Sequence, residues 1–566
     1  MGRDPRRAPQ LDDPAKINLT KRTLQTGHSM KQPMNEKHRG RRQFLRDSAL
    51  LGTGLLFSNK LFSATATTAT AQPQEKNPAV ISRVDGRKLS PDELVFVASL
   101  QGVVAKTSPR IYLDVANYSF WIPAIEKCGC RFEDATLDQL RRRYLKEAAG
   151  YVLAGMNNIS VAATVAGPLK AVVLTETMQK RIAADDANDD AGGLKMLMDA
   201  RDKTEEWLLD YVKAHGPDFS YNGILQHIPA RPHTLVDLAI ADNKLCIVGK
   251  EKPKLVDAFY SLIEPNTPRL GWGNPYHNEL HDVSLGSKHG LFTLAAANAL
   301  NLSLFSKIQP PDIQPFRQPA NTPDPDRKNV HHVMLMMSDG SNLSWIMGPF
   351  ITGDRFIGSP RAPGIKMNWM FPPITRELAP AIFDYYREHL PRDNYLLGAP
   401  SSAGYTYPSL HKDLPQFAAT TNRMLRAAGL DIGVVIDTGD FRTKEKDVLK
   451  TMLQQMPDVK GLYYMAYDGY TKWGGDYYKI NGKPVISLRH RLWPPKYPLE
   501  TIAEQINKAS RNVNSPDAYS AVVVHAWSYT MDDVARFVKL LKDDVVLVNA
   551  AEFMELMSKN VKTKNY

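Results

Sequence analysis

Apolar residues are spaced in two ways along this chain. Between about Pro78 and Ser306, short apolar runs alternate with stretches of helical period. SPDELVFVASLQGVVAK carries a 3.6-residue stripe and a Ser-x-x-Glu capping box, Ser90 to Glu93, so a helix is expected there. RIYLDV, GYVLAG and AVVLTE read as strands. TLDQLRRRY and SVAATVAGPL read as helices, and GGLKMLMDARDKTEEWLLDYVKAHG as the longest helix. This alternation predicts small α/β units with parallel sheets. Residues 309–329, QPPDIQPFRQPANTPDPDRKN, hold six prolines and few apolar positions, and mark a linker.

The region from 330 to 566 has a plainer rhythm. HVMLMMSD, IKMNWM, NYLLGAPS, DIGVVID, GLYYMAYD, KPVISLR, YSAVVVHAW and DVVLVN are continuous apolar runs, most of them separated by helix-like text. Such runs suit strands buried on both faces. The fold class expected is therefore α/β: an N-terminal region of small α/β subdomains over 78–308, then an irregular (β/α) barrel over 330–566.

The first 71 residues change the charge picture. GRRQFLR (Gly40–Arg46) pairs two arginines with Phe44 and Leu45, followed by the weakly apolar SALLGTGLLF and by Ala69-Thr70-Ala71 before Gln72. This is the layout of a twin-arginine signal peptide, implying the twin-arginine export machinery as a partner and a periplasmic or secreted destination. The leader holds 13 Lys+Arg and 5 Asp+Glu, a net of +8, against +11 for the whole chain. The remaining +3 offers no basic patch for nucleic acid. No uncharged apolar run is long enough for a transmembrane helix. The cysteines, Cys128, Cys130 and Cys246, read as buried thiols.

In a (β/α) barrel the working residues gather at the C-terminal strand ends. Here those ends carry Asp339, Trp369, the stretch SSAGYTYP (Ser401–Pro408), Asp437 with Asp440, Asp468 between Tyr467 and Tyr470, Arg489 with His490, and His525 before Trp527. Carboxylates interleaved with aromatic rings suit a sugar site: rings stack on pyranose faces and carboxylates act on glycosidic bonds. Asp339, Asp437, Asp468 and His525 are the catalytic candidates. Tyr405, Tyr407, Trp369, Trp473, Trp527, Arg489 and Asn342 are the candidate sugar contacts. Each has a plainer alternative, since Asp339-Gly340 and Asp437-Thr438-Gly439 also suit turns or helix caps. No His-x-x-x-His pair accompanies Asp339, and His331 and His332 begin a strand at its far end, so no metal or other cofactor is expected. His277, Glu279 and His281 alternate in HNELHD and would share a face of an extended segment, a weak metal signal. Gly-rich phosphate loops and a Gly-x-Ser-x-Gly elbow are absent.

Taken together, ASLQGVVAKTSPRIYL (Ala98–Leu113), GYVLAG with SVAATVAGPLKAVVL, SLGSKHGLFTLAAANALNLSLFS, MMSDGSNLSWIMG (Met336–Gly348), SSAGYTYP, KPVISLRHRLW and VVVHAWS resemble, in order, the GxGYxYP family of glycoside hydrolases. The resemblance implies a barrel-like hydrolase domain and a carbohydrate substrate. Two positions depart from the family pattern: Ser402 stands where the motif has its first glycine, and Ser341 where relatives carry a second aspartate. The serine needs a negative φ or tolerated strain. The missing acid keeps a catalytically silent glycan-binding protein as a second reading. A looser likeness to polysaccharide deacetylases, on the early Asp-Gly and late His strand ends, gives a third.

Overall fold

The computed structural model describes residues 77–566, apart from 187–193, 250–251, 273–278, 321–323, 325–326 and 439–443. The leader, His277 and Asp440 lie outside the described residues. The N-terminal half forms three small parallel sheets, as the alternation predicts. Val80–Asp85 lies between Ile111–Asp114 and Arg131–Asp134, and Gly150–Leu153 lies between Ala171–Leu174 and Met196–Asp199. The third sheet runs Phe292–Leu294, Pro268–Gly271, Ser220–Gln226, Lys244–Ile247. The Ser90–Glu93 capping box is formed at the start of the helix Pro91–Ala105. The expected longest helix is instead two elements. Met196–Asp199 joins a sheet, and the helix Glu205–Ala214 starts only where Thr204 caps Trp207 N. Three consecutive apolar residues, Met196 to Met198, outcompete the helical reading once a neighbouring strand is in place.

The C-terminal half holds eight strands where eight apolar runs predict them: β1 (His331–Met337), β2 (Met367–Phe371), β3 (Tyr395–Gly398), β4 (Ile432–Asp437), β5 (Gly461–Ala466), β6 (Lys483–Ser487), β7 (Tyr519–Val524) and β8 (Val545–Leu547). One sheet runs β3-β2-β1-β7 and ends on a short continuation of β6, His490–Leu492; β8 pairs with the start of β1. The other runs β4-β5-β6, with Tyr477–Ile480 antiparallel on its edge. The two sheets meet at two seams. A single parallel bridge joins Pro400 to Val434. On the opposite side Leu488 N donates to Tyr464 O and Arg489 N to Ala521 O, handing the chain from β5 to β7. The strands are thus arranged as in a barrel, without an unbroken ladder round the whole circuit.

Side-chain alternation supports that arrangement. Met334, Met336, Met370, Leu397, Ile432, Val434, Met465, Ile486, Ala521 and Val523 form one interior core, while Val333, Leu335, Trp369, Val435 and Val522 pack outward. Burying each large apolar side chain contributes about 1.5–3 kcal/mol. A helix α2 (Ala550–Asn560) adds Phe553, Met554 and Met557 to the interior core, and Tyr463 Oη donates to Ala550 O (2.8 Å). That closes the end where strands begin and leaves the C-terminal ends as the mouth. The described part of the Pro-rich stretch 309–329 is tied down: among other bonds, Phe316 N donates to Ala428 O, and the Gln318 amide to Leu396 O. All three cysteines are buried free thiols.

Candidate active site

The end of β1 sets one wall. Ser338 N continues the ladder to Val524 O, and then the chain turns sharply, with Asp339 at φ +68°. A Cβ at Gly340 would sit 2.1 Å from the Cβ of Met370, so only glycine lets this turn lie against β2. Asp339 accepts at both oxygens, from Ser338 Oγ (2.5 Å) and from Trp527 Nε1 (2.7 Å). Trp527 is 53% exposed, and its ring lies 4.6 Å from Trp345. The ends of β1 and β7 therefore place one carboxylate beside an open indole surface, as strand-end reasoning expects of Asp339 and Trp527.

SSAGYTYP follows β3 and does something else. Ser401 and Ser402 are both left-handed, at φ +57° and +86°, so Ser402 does occupy the conformation that favours glycine. Gly404 supplies close approach rather than a turn, because a Cβ there would lie 2.7 Å from the Phe292 ring. Tyr405 then exchanges both backbone hydrogen bonds with Thr293, at 2.8 Å each. Tyr405 and Tyr407 are buried rather than open as a sugar platform. Tyr405 Oη donates to Glu279 Oε1 (2.8 Å), and Tyr407 Oη lies 3.1 Å from Tyr405 Oη.

Glu279 opens the helix α1 (Glu279–Lys288), which belongs to the N-terminal half. Ser287 latches this helix to the motif: its Oγ accepts from Tyr407 N (2.9 Å) and Thr406 Oγ1 (2.8 Å), and its carbonyl accepts from Lys412 N. Val283 of α1 is part of the interior core, so the helix dips into the mouth. Burial pushes the Glu279 carboxyl above its ordinary range; the Tyr405 hydrogen bond opposes this and the nearby Asp339 charge adds to it. The Tyr470 phenol is raised by burial and by the same two acids, and the Tyr467 phenol is pushed up to about 12. Two carboxylates thus share the mouth, one from each half of the chain. In the amino-acid sequence Glu279 stands out only as a possible metal ligand between His277 and His281. In a helix, residues two apart do not share a face, and His281 is exposed.

Asp437 is fully buried and accepts from Ser409 N (2.8 Å), Ser409 Oγ (2.5 Å) and Thr438 N (2.7 Å), tying the end of the motif to β4. Asp468 is exposed and paired with Lys472. Trp369 is buried outside the strand ring, donating to Asn394 Oδ1, and Trp473 is buried against Tyr464. Asn342 caps the short helix Leu343–Ile346. Arg489 points back to the start of β7, where it bonds Tyr519 O, Pro516 O and Asp517. His525 is at the mouth, with Nδ1 2.7 Å from Ser528 Oγ and its ring stacked on Trp493 at 3.7 Å. Arg491, two residues beyond the predicted Arg489, is the arginine that enters the mouth. Asp437→Asn would turn an amide donor toward the donors it now accepts from. It is expected to cost about 1.5–3 kcal/mol of stability, measured by denaturant unfolding, while leaving kcat within a few-fold.

Among the described residues no group of three or more His, Cys, Asp or Glu side chains gathers as a metal site, and no helix is long and apolar enough to cross a membrane.

Comparison with known proteins follows the same division of the chain. Residues 81–149 match the GxGYxYP_N first domain, and residues 329–558 match the GxGYxYP putative glycoside hydrolase C-terminal domain. A crystal structure of a putative hydrolase from Bacteroides thetaiotaomicron superposes with a TM-score of 0.77. It is 22% identical, and the match covers 87% of this chain and 99% of that one, which establishes a likeness of fold. Among curated proteins, none matches the chain.

Proposed function

Since the chain belongs to the GxGYxYP family, we propose that it is an exported glycoside hydrolase whose carboxylate pair is Glu279 and Asp339. The observation that carries this reading is the raised Glu279 carboxyl at the mouth, coupled to Asp339 and held by Tyr405. A carboxyl whose pKa burial raises is better suited to protonate a glycosidic oxygen as it leaves. Asp339 then acts on the opposite side of the bond, directly or through a water, with its position fixed by Ser338 and Trp527. The exposed Trp527 beside Trp345 gives a stacking surface for a pyranose next to the reacting carboxylate. Asp437 and Asp468 drop out of the pair, the first locked by Ser409 and the second turned to solvent beside Lys472. Ser341 does not empty the site, because Glu279 supplies the second acid. Export rests on the twin-arginine layout of residues 1–71.

The test is a panel of aryl glycosides and oligosaccharides offered to the wild type and to Asp339→Asn. Turnover that falls by about 10²–10⁴ in the variant, with glycan binding retained, supports the pair. Binding without turnover, unchanged in the variant, would establish the glycan-binding alternative instead.

A further inference from the structure

Arg491 lies opposite Val523, a member of the interior core, while its neighbours His490 and Leu492 pair with the outward-facing Val522 and Val524. Its guanidinium therefore enters the mouth. Its charge reaches Tyr470, whose phenol also feels Asp339 and Glu279. The guanidinium carbon lies 4.2 Å from the Tyr497 ring centre and 5.8 Å from that of Trp493, and Nη2 donates to Tyr497 Oη (2.8 Å).

What it does not meet is an acid. Arg83, Arg110 and Arg511 each reach a carboxylate within 3 Å, and Arg491 has no such partner among the described residues. Its Nε–H is buried with no acceptor. A buried donor left unpaired has lost its water without gaining a partner, and a ligand with the right acceptor supplies one. The surroundings are fixed in place. Trp493 and Tyr497 exchange backbone hydrogen bonds across a loop that carries two consecutive prolines, and Trp493 stacks flat on His525. Lys496 adds a second positive charge, 5.5 Å from the Tyr497 ring.

We infer that the sugar bound at this end of the mouth is a uronic acid, its carboxylate docking on Arg491 and its ring lying against the Trp493–His525 wall. The guanidinium fork matches a planar carboxylate, and a site built around an unpaired donor rejects a ligand that cannot fill it. The inference rests on the mouth being the glycan site proposed above. A sulfated sugar carries the same charge without the planar acceptor, so the experiment separates the two.

The probes are trigalacturonate, a glucuronate-containing tetrasaccharide, their carboxyl-reduced forms, and a sulfated neutral galactan oligosaccharide. Binding is measured by calorimetry on the full chain, with Glu279→Gln used to prevent turnover, alone and combined with Arg491→Gln or Arg491→Lys. A uronate oligosaccharide is expected to bind at least about tenfold tighter than its reduced form. Arg491→Gln should erase that preference and Arg491→Lys keep part of it. The comparison of native with reduced ligand needs no Arg491 substitution, so it stands even if those variants fold poorly. Equal binding of reduced ligand, equal binding of the sulfated ligand, an unchanged preference in Arg491→Gln, or no binding of either uronate overturns the inference. Uronate binding with no hydrolysis by the wild type supports the uronate subsite and removes the hydrolase reading. Hydrolysis of neutral glycans alone does the reverse.

Discussion

Glu279→Gln is expected to lower kcat by about 10²–10⁴ on substrates whose leaving group must be protonated. The loss should be far smaller on a dinitrophenyl glycoside, whose leaving group departs without a proton. That contrast identifies an acid and not a binding residue, and steady-state kinetics on the two substrate types checks it. Activity of the wild type should fall as pH rises through the raised Glu279 value, and Glu279→Gln should lose that alkaline limb. Stability carries a second signature. A carboxyl raised by folding binds its proton more tightly in the native state, so it favours folding below the usual carboxylate range and disfavours it above. Glu279→Gln should therefore be at least as stable as the wild type near neutral pH, with the gap closing in acid. A variant that is less stable at neutral pH and equally impaired on both substrates would refute the assignment.

The second large effect is acid lability. His227, His233, His331, His332, His411 and His490 are all held down to about 4, in each case chiefly by burial. In the unfolded chain they titrate near 6.5. Between those values the unfolded state binds more protons, so stability is full above about pH 6.5 and is lost as pH falls toward 4. Each neutral histidine weakens the fold by about 1.4 kcal/mol per pH unit across that window. Six of them outweigh the opposite contribution of Glu279, and over the whole window they exceed the ~5–15 kcal/mol that holds a protein together, so the fold is lost before pH 4 is reached. Denaturant unfolding at pH 7 and pH 5 should show a loss of several kcal/mol, and a flat profile between those values would contradict it.

Much of the architecture is legible in the amino-acid sequence because strands buried on both faces leave unbroken apolar runs. Asp339, His525 and Trp527 are legible for the same reason, since each directly follows such a run. Glu279 is not. It sits in a polar stretch some fifty residues before the barrel, and the pairing of Tyr405 with Thr293, together with the Ser287 latch, brings it to the mouth. Counting by twos along a strand also fails at the seam. Leu488 and Arg491 both face inward although they are three residues apart, so the inward arginine is Arg491 and not Arg489. Tyr405 and Tyr407 look like an open platform because tyrosines beside glycines usually are. Here the glycine serves close backbone approach, and the phenols are buried supports for an acid on another element.

The latch between Ser287 and the tyrosine motif has a consequence for inheritance. The stretch that gives the family its name is a joint, gripping a helix that the other half of the chain must provide. The two halves are therefore not interchangeable cassettes: on the proposed function, a barrel that acquired a foreign partner would lose the carboxyl that serves as its acid. On the proposed function, gene fusion or shuffling at the proline-rich boundary would separate the acid from the site it serves.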